Sequence, residues 1–154
     1  MDTFKQKANK ILYYAKVSRE KLDAYIKKEG KCDICGVDND GAALKVNGKV
    51  YILCRSHKRK VDFFHSIGAV PDISSDAGVV EMSNVLDTHL RRASVGKDHK
   101  TMEVIQMYMA GDREIEISKK FRVSRSRIST IVSSLKRMAR KSYYAEILRQ
   151  EYDH

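Results

Sequence analysis

The sequence predicts a mainly α-helical protein with one small β-hairpin stapled by a metal ion. Three observations lead there. Apolar residues recur at three- and four-residue spacing through most of the chain, an Asn-Gly pair separates two β-rich runs, and three cysteines and a histidine stand at ligand spacing around that pair. The 154 residues are 42% hydrophobic and include a single proline, a composition that supports packed cores rather than a disordered chain. The formal net charge of +10 points to a polyanion as partner. No apolar run approaches the roughly 18 residues of a membrane span, so no membrane partner is expected. The opening residues Met1-Asp2-Thr3-Phe4-Lys5-Gln6-Lys7 lack the apolar stretch of a secretory signal. An odd number of cysteines argues against a secreted disulfide framework. The expected location is cytoplasmic, inside a bacterial or host cell.

Charge divides the chain into two strongly basic blocks, residues 1–67 and 99–154, around a mildly acidic middle, 68–98. In the first block, Ile11, Leu12 and Ala15, then Leu22, Tyr25 and Ile26, mark two helical stretches. Ser18 is suited to cap the second, and Gly30 to stop it. Ala43-Leu44-Lys45-Val46-Asn47-Gly48-Lys49-Val50-Tyr51-Ile52-Leu53 reads as a hairpin, because both residues of an Asn-Gly turn tolerate positive φ. After Cys54, Val61, Phe64 and Ile67 lie on one helical face up to Gly68. The run Gly68–Gly78 is rich in turn formers around Pro71 and reads as a linker. It precedes one helix over 80–93 that packs through Met82, Val85, Leu86 and Leu90.

Cys32, Cys35, Cys54 and His57 give the spacing Cys-x2-Cys-x18-Cys-x2-His. Each pair brackets a turn tight enough to offer two ligands to one tetrahedral ion. Three thiolates and one imidazole form a closed structural set for Zn²⁺, with no open position for chemistry. A block this small buries too little surface to be comfortably stable alone, and zinc supplies roughly 10–16 kcal/mol of apparent binding free energy to comparable modules. The competing readings are three free buried cysteines beside a surface histidine, a Cys-x-x-Cys redox pair, and His65 in place of His57 as fourth ligand.

The stretch Leu22-Asp23-Ala24-Tyr25-Ile26-Lys27-Lys28-Glu29-Gly30-Lys31-Cys32-Asp33-Ile34-Cys35-Gly36, with Ile52-Leu53-Cys54-Arg55-Ser56-His57, resembles the treble-clef zinc finger of the HNH and recombination endonuclease VII family. In that family the first hairpin strand ends in an Asp-His pair whose histidine activates water beside Mg²⁺. This chain has Leu44-Lys45-Val46-Asn47 there, no histidine between Cys35 and Cys54, and His57 where a cysteine is usual. The resemblance therefore implies a nuclease-derived scaffold that lacks the base and open metal site a nuclease needs. Arg55, Lys58, Arg59 and Lys60 follow on one helix. They suit either phosphate contact or a solvated face.

In the last block, Thr101–Ala110 reads as a helix stopped by Gly111. Asp112 is suited to cap the next, and Glu114 and Glu116 suit its positive end. The run Glu114-Ile115-Glu116-Ile117-Ser118-Lys119-Lys120-Phe121-Arg122-Val123-Ser124-Arg125-Ser126-Arg127-Ile128-Ser129-Thr130-Ile131-Val132 resembles the helix-turn-helix of bacterial and phage regulators, of sigma-factor region 4 and of small terminase subunits. Ile117 and Phe121 face inward, Ser118 is small where helices cross, and Val123 plugs the turn. Ser124 caps the second helix, and Ile128 and Ile131 pack its inner face. Arg122 stands where glycine is common, at a cost of about 1 kcal/mol if the backbone is left-handed.

The outer face of that helix would carry Arg125, Ser126, Ser129, Thr130 and Ser133, short side chains and an arginine suited to a major groove. Every charged residue from Ile117 to Ala145 is basic: Lys119, Lys120, Arg122, Arg125, Arg127, Lys136, Arg137, Arg140 and Lys141. An ordinary solvated helix mixes signs, so a phosphate-facing surface is expected. Past Leu135, the residues Met138, Ala139, Tyr143, Ile147 and Leu148 continue a stripe that serves either the chain's own domain or a seam with a second copy.

The expected organisation is thus a helical lead-in and zinc finger over 1–67, a linker with one helix over 68–98, and a helix-turn-helix domain with a long last helix over 99–154. The expected function is that of a non-enzymatic double-stranded DNA-binding transcription regulator, phage or mobile-element encoded, with Zn²⁺ as cofactor. RNA polymerase and a homodimer are the further partners considered. The rival readings are an HNH-derived nuclease relative, a small-terminase-like packaging adaptor, and a polymerase-binding factor.

Overall fold

A computed structural model of the chain describes residues 19–37 and 42–152. Among these it is mainly helical, with six helices and one antiparallel two-stranded hairpin. The helical stretch expected around Ile11, Leu12 and Ala15, and the Ser18 cap, lie outside the described residues. None of the described helices is long and apolar enough to cross a membrane. The chain divides into two compact units, Met1–Lys58 and Arg59–His154. The expected boundary after residue 67 falls beyond the helix that runs across this division.

The first element among the described residues of the first unit is α1 (Arg19–Lys27), which buries Leu22. The helix ends through Glu29 and Gly30, both at positive φ, with the Gly30 N–H returning to the Tyr25 carbonyl. Strands β1 (Ala42–Val46) and β2 (Lys49–Leu53) pair from Val46↔Lys49 to Ala42↔Leu53. Asn47 and Gly48 both adopt the positive φ (52° and 78°) that a two-residue hairpin turn needs to match strand twist. The strand β2 is the buried one, with Val50, Tyr51, Ile52 and Leu53 all in the core.

Helix α2 (Arg55–Ser66) begins in the first unit and ends in the second, where it buries Val61, Phe63 and Phe64. Helix α3 (Asp76–Ala93) starts four residues before the expected position. Ser75 accepts from the Gly78 N–H, so the Ser-Ser-Asp run taken for linker is a cap and first turn. It buries Met82, Leu86, His89 and Ala93, one stripe at helical spacing. Residues 68–98 therefore carry a packed member of the second unit.

Helices α4 (His99–Ala110), α5 (Glu114–Phe121) and α6 (Arg125–Tyr152) pack on one another, and α3 packs along α6. Asp98 caps α4 through the Thr101 N–H, and Gly111 closes it in a left-handed conformation. The N-cap position of α5 is Arg113, whose side chain does not cap the helix, in place of the expected Asp112. Asp112 is held one position too early: its N–H donates to the Met107 carbonyl as part of the α4 ending.

Candidate metal centre and basic helix face

Cys32, Cys35, Cys54 and His57 converge, with their ligand atoms all within 4.8 Å of one another. Cys35 Sγ lies 3.8 Å from Cys54 Sγ, and His57 Nδ1 lies 3.6 Å from Cys32 Sγ and 3.2 Å from Cys54 Sγ. The first pair sits on a knuckle closed by Gly36 N–H to Cys32 O (2.8 Å), with Gly36 at φ 73°. The second pair brackets the start of α2, where Lys58 N–H donates to Cys54 O. His57, not His65, completes the cluster; His65 is exposed near the other end of α2.

The thiols are not equivalent. Burial pushes Cys54 up to about 11, reinforced by the nearby charge of Cys32 against the lowering effect of a backbone bond at His57. Burial also acts to raise Cys32, but backbone bonds from Cys54, Cys35 and Ile34 outweigh it and hold this thiol below its ordinary value. Three thiols packed this closely resist losing all their protons without a cation among them, whereas a divalent ion relieves that repulsion. The donor set and its spacing fit a metal.

A residue not singled out in the sequence fixes the knuckle. Asp33 donates its N–H to Ile52 O, accepts from the Ile52 N–H through Oδ2, and pairs that same oxygen with Lys28 Nζ, each at 2.7 Å. Lys28 also reaches Val50 O at 3.3 Å. The loop bearing Cys32 and Cys35 is thereby bonded to β2, which leads into Cys54. Its sequence signal was the acidic residue inside the Cys-x-x-Cys spacer.

In the second unit, α6 buries Ile128, Ile131, Val132, Leu135 and Ala139. At about 100° of rotation per residue these occupy an arc of about 100°. Arg125, Ser126, Ser129, Thr130, Ser133, Arg137, Arg140 and Lys141 all lie on the remaining surface and are exposed. Lys119, Lys120 and Arg122 are exposed at the end of α5 and in the turn after it. Ser118 spans that turn, donating its hydroxyl to Val123 O and accepting the Val123 N–H at its own carbonyl.

Several expected contacts have other partners. Ser124 accepts from the Arg127 N–H at 3.0 Å and is the cap of α6, so its oxygen is committed to the helix. Thr130 donates to Ser126 O. Arg125 Nε lies 3.7 Å from Glu114 Oε2, a carboxylate that offsets the cation at the positive end of α6.

Arg59 departs furthest from the expected phosphate role. Its guanidinium donates to Tyr108 O (2.7 Å) and Asp112 O (2.6 Å) and stacks 4.0 Å from the centre of the Tyr108 ring. One guanidinium nitrogen thus meets the Tyr108 carbonyl, which also accepts from the Gly111 N–H, and the Asp112 carbonyl beyond it, so Arg59 serves the end of α4. Arg55, Lys58 and Lys60 are half-buried on α2.

Comparison with known protein families, with curated proteins and with solved structures gives no match. The functional reading therefore rests on the residues themselves.

The continuation of α6 differs from the expected apolar stripe. Ala139 is buried, but Met138 and Leu148 are exposed. The contact with α3 is instead partly polar: His89, 2% exposed, places Nδ1 2.9 Å from Ser142 Oγ and Nε2 3.0 Å from Glu146 Oε2. Tyr143 meets the His89 ring edge-on at 5.4 Å. Burial lowers the His89 pKa, with Arg92 acting in the same direction and Glu146 opposing. Tyr143 stands on the expected stripe, but hydrophobicity alone could not find the two hydrogen-bonding α6 partners, a serine and a glutamate.

Proposed function

We propose that this protein is a double-stranded DNA-binding transcription regulator. In this reading α4, α5 and α6 form a helix-turn-helix, and the exposed side chains of the segment 124–133, at the start of α6, face the bases of a major groove. The observation that carries it is the outer face of α6, where exposed cations and short hydroxyl side chains stand opposite a continuous buried stripe. A helix of about 10–12 Å diameter fits a major groove about 12 Å wide, and small side chains let it approach the base edges. Arg125 is the side chain suited to bidentate pairing with guanine, in exchange for its contact with Glu114. Ser126, Ser129, Thr130 and Ser133 shape the contact surface, while Lys119, Lys120, Arg122 and Arg127 meet phosphates. The assignment to transcription rests on the sequence resemblance to regulators and to sigma-factor region 4.

The Cys32, Cys35, Cys54 and His57 centre is read as a structural zinc site in a treble-clef-like finger. A tetrahedral zinc with its usual bond lengths sets S···S edges of about 3.8 Å and S···N edges of about 3.5 Å. Three of the six ligand separations, 3.8, 3.6 and 3.2 Å, lie near those edges, and all six are within 4.8 Å. All four positions come from the protein, so the ion's contribution is to folding. Arg55, Lys58 and Lys60 are the remaining basic residues beside it that suit phosphate contact.

The deciding experiment compares Arg125→Ala with Lys119→Ala on a selected site and on random duplex. Arg125→Ala is expected to cost about 1–3 kcal/mol on the selected site and to relax preference at one base pair. Lys119→Ala should weaken both duplexes alike. Equal losses on both duplexes for Arg125→Ala would remove the groove assignment.

A further inference from the structure

A shallow depression of about 270 Å³ separates the start of α4 from α6, with Lys97, Asp98 and Thr101 on one side and Arg127, Thr130 and Ser134 on the other. Between the cations its lining is the short hydroxyl side chains of Thr101, Thr130 and Ser134 and the buried Ile131, so an anion can reach the cations without displacing an exposed bulky group. Gly96, at its rim, has no neighbour within 4 Å of where a side chain would begin. Lys100 is exposed on the first turn of the same helix. The acid among the lining residues, Asp98, accepts from the Thr101 N–H at 2.7 Å, and that bond, with the charges of Arg127 and Lys100, holds it ionised, so one negative charge stands among the three cations Lys97, Lys100 and Arg127.

The two flanks of α6 differ. Around the helix axis, Arg125 and Arg127 point to opposite flanks, about 160° apart at about 100° per residue. The Arg125 flank meets the carboxylate of Glu114 alone, whereas the Arg127 flank meets that of Asp98 together with two lysines, Lys97 lining the depression and Lys100 close enough to act on Asp98. A helix lying in a major groove has a phosphate strand along each flank, because its diameter nearly fills the groove.

We propose that this depression is a second phosphate seat, in which Lys97, Lys100 and Arg127 hold the duplex backbone on the flank of α6 away from Arg125. The inference rests on the duplex-binding reading above and assigns Lys97 and Lys100 a role as backbone anchors. Neither lysine contacts a base, so the seat adds affinity and orientation without sequence preference.

The test uses the full chain and a labelled duplex of random sequence, with affinity measured by fluorescence anisotropy across a salt series. Each phosphate contact contributes roughly −0.9 to the slope of log affinity against log salt. The pair Lys97→Ala/Lys100→Ala should flatten the slope by about 1.8, equally on random and selected duplexes. The pair Lys97→Arg/Lys100→Arg should keep the wild-type slope. A wild-type slope in the alanine pair overturns the seat while leaving the duplex reading intact. A flattened slope in the arginine pair overturns it too, since the effect would then not follow charge. A wild-type chain that binds no duplex removes the duplex reading, and the seat with it.

Discussion

Arg122 offers a substitution whose effects on folding and on binding should have opposite signs. It is the C-cap of α5 and the first of three residues before α6, held at φ 54° and ψ 45°, with its N–H bonded to Ser118 O. A left-handed backbone at a residue bearing a Cβ costs roughly 1–2 kcal/mol, which Arg122→Gly removes. Glycine also loosens the unfolded chain, at about 0.4–1 kcal/mol. The difference is a net gain of about 0.5–1 kcal/mol for the second unit. In a domain of this size each kcal/mol is about 4–8 °C in Tm, so the variant should melt about 2–8 °C higher. The same change deletes an exposed cation and should flatten the salt slope of duplex binding by about 0.9. Arg122→Ala is the control, for it deletes the cation and keeps the strain. Its slope should fall equally, with no rise in Tm. Calorimetry and anisotropy on the three proteins check both quantities. A glycine variant melting no higher than the alanine one would refute the strain argument, and unchanged slopes in both would refute the phosphate role.

The other expectations are similarly separable. Arg59→Ala should destabilise the second unit by about 2–4 kcal/mol in denaturant, through two lost charge-assisted bonds and a lost ring contact, and leave the salt slope alone. Lysine at that position should not fully restore stability, since it lacks the planar guanidinium that stacks on the Tyr108 ring; a full rescue by Arg59→Lys would contradict this role. Cys32→Ser, or a strong chelator, should abolish stoichiometric metal and the hairpin's protection from hydrogen exchange, while α4–α6 keep theirs. Retained metal in Cys32→Ser would count against the four-ligand centre. His89 is held neutral by burial, so its pKa in the folded chain lies below the ordinary 6.5. The folded state then binds fewer protons than the unfolded one. Its stabilising effect is complete above pH 6.5 and is lost as pH falls through the folded value. Urea titrations of His89→Gln should show a flatter pH dependence over this range, and a slope equal to wild type would dismiss the linkage.

The features legible in the sequence are those set by short-range chemistry. Ligand spacing named all four members of the Cys3His cluster, and Asn47-Gly48 marked the hairpin, because each depends on neighbours in the chain. The Ser118, Arg122, Val123 and Ser124 turn could be read for the same reason. Tertiary bonding decided the rest. Arg59 looked like one more cation on a basic helix. Its partners are carbonyls about fifty residues away, which no local pattern encodes. Asp112 has the right side chain for a cap, but the ending of α4 had already taken its N–H. The start of α3 was missed because the same serines and aspartate that make turns also begin helices.

What orients the basic face is the far side of α6. This helix of 28 residues has to be fixed in rotation along its length for its cations to share one surface. In its first half the fixing contacts are apolar, from Ile128 to Ala139. In its second half Ser142 and Glu146 fall on that same angular stripe and bond to His89 of α3. A rotation by one residue position would carry Arg127 toward the interior and separate both α6 partners from the histidine. The polar seam discriminates between rotations more sharply than an apolar one, because hydrogen bonds fail over a few tenths of an ångström while methyl groups merely slide. Helix α3 thus does for the C-terminal half what α4 and α5 do for the N-terminal half. The outward direction of the cations follows from what is buried behind them.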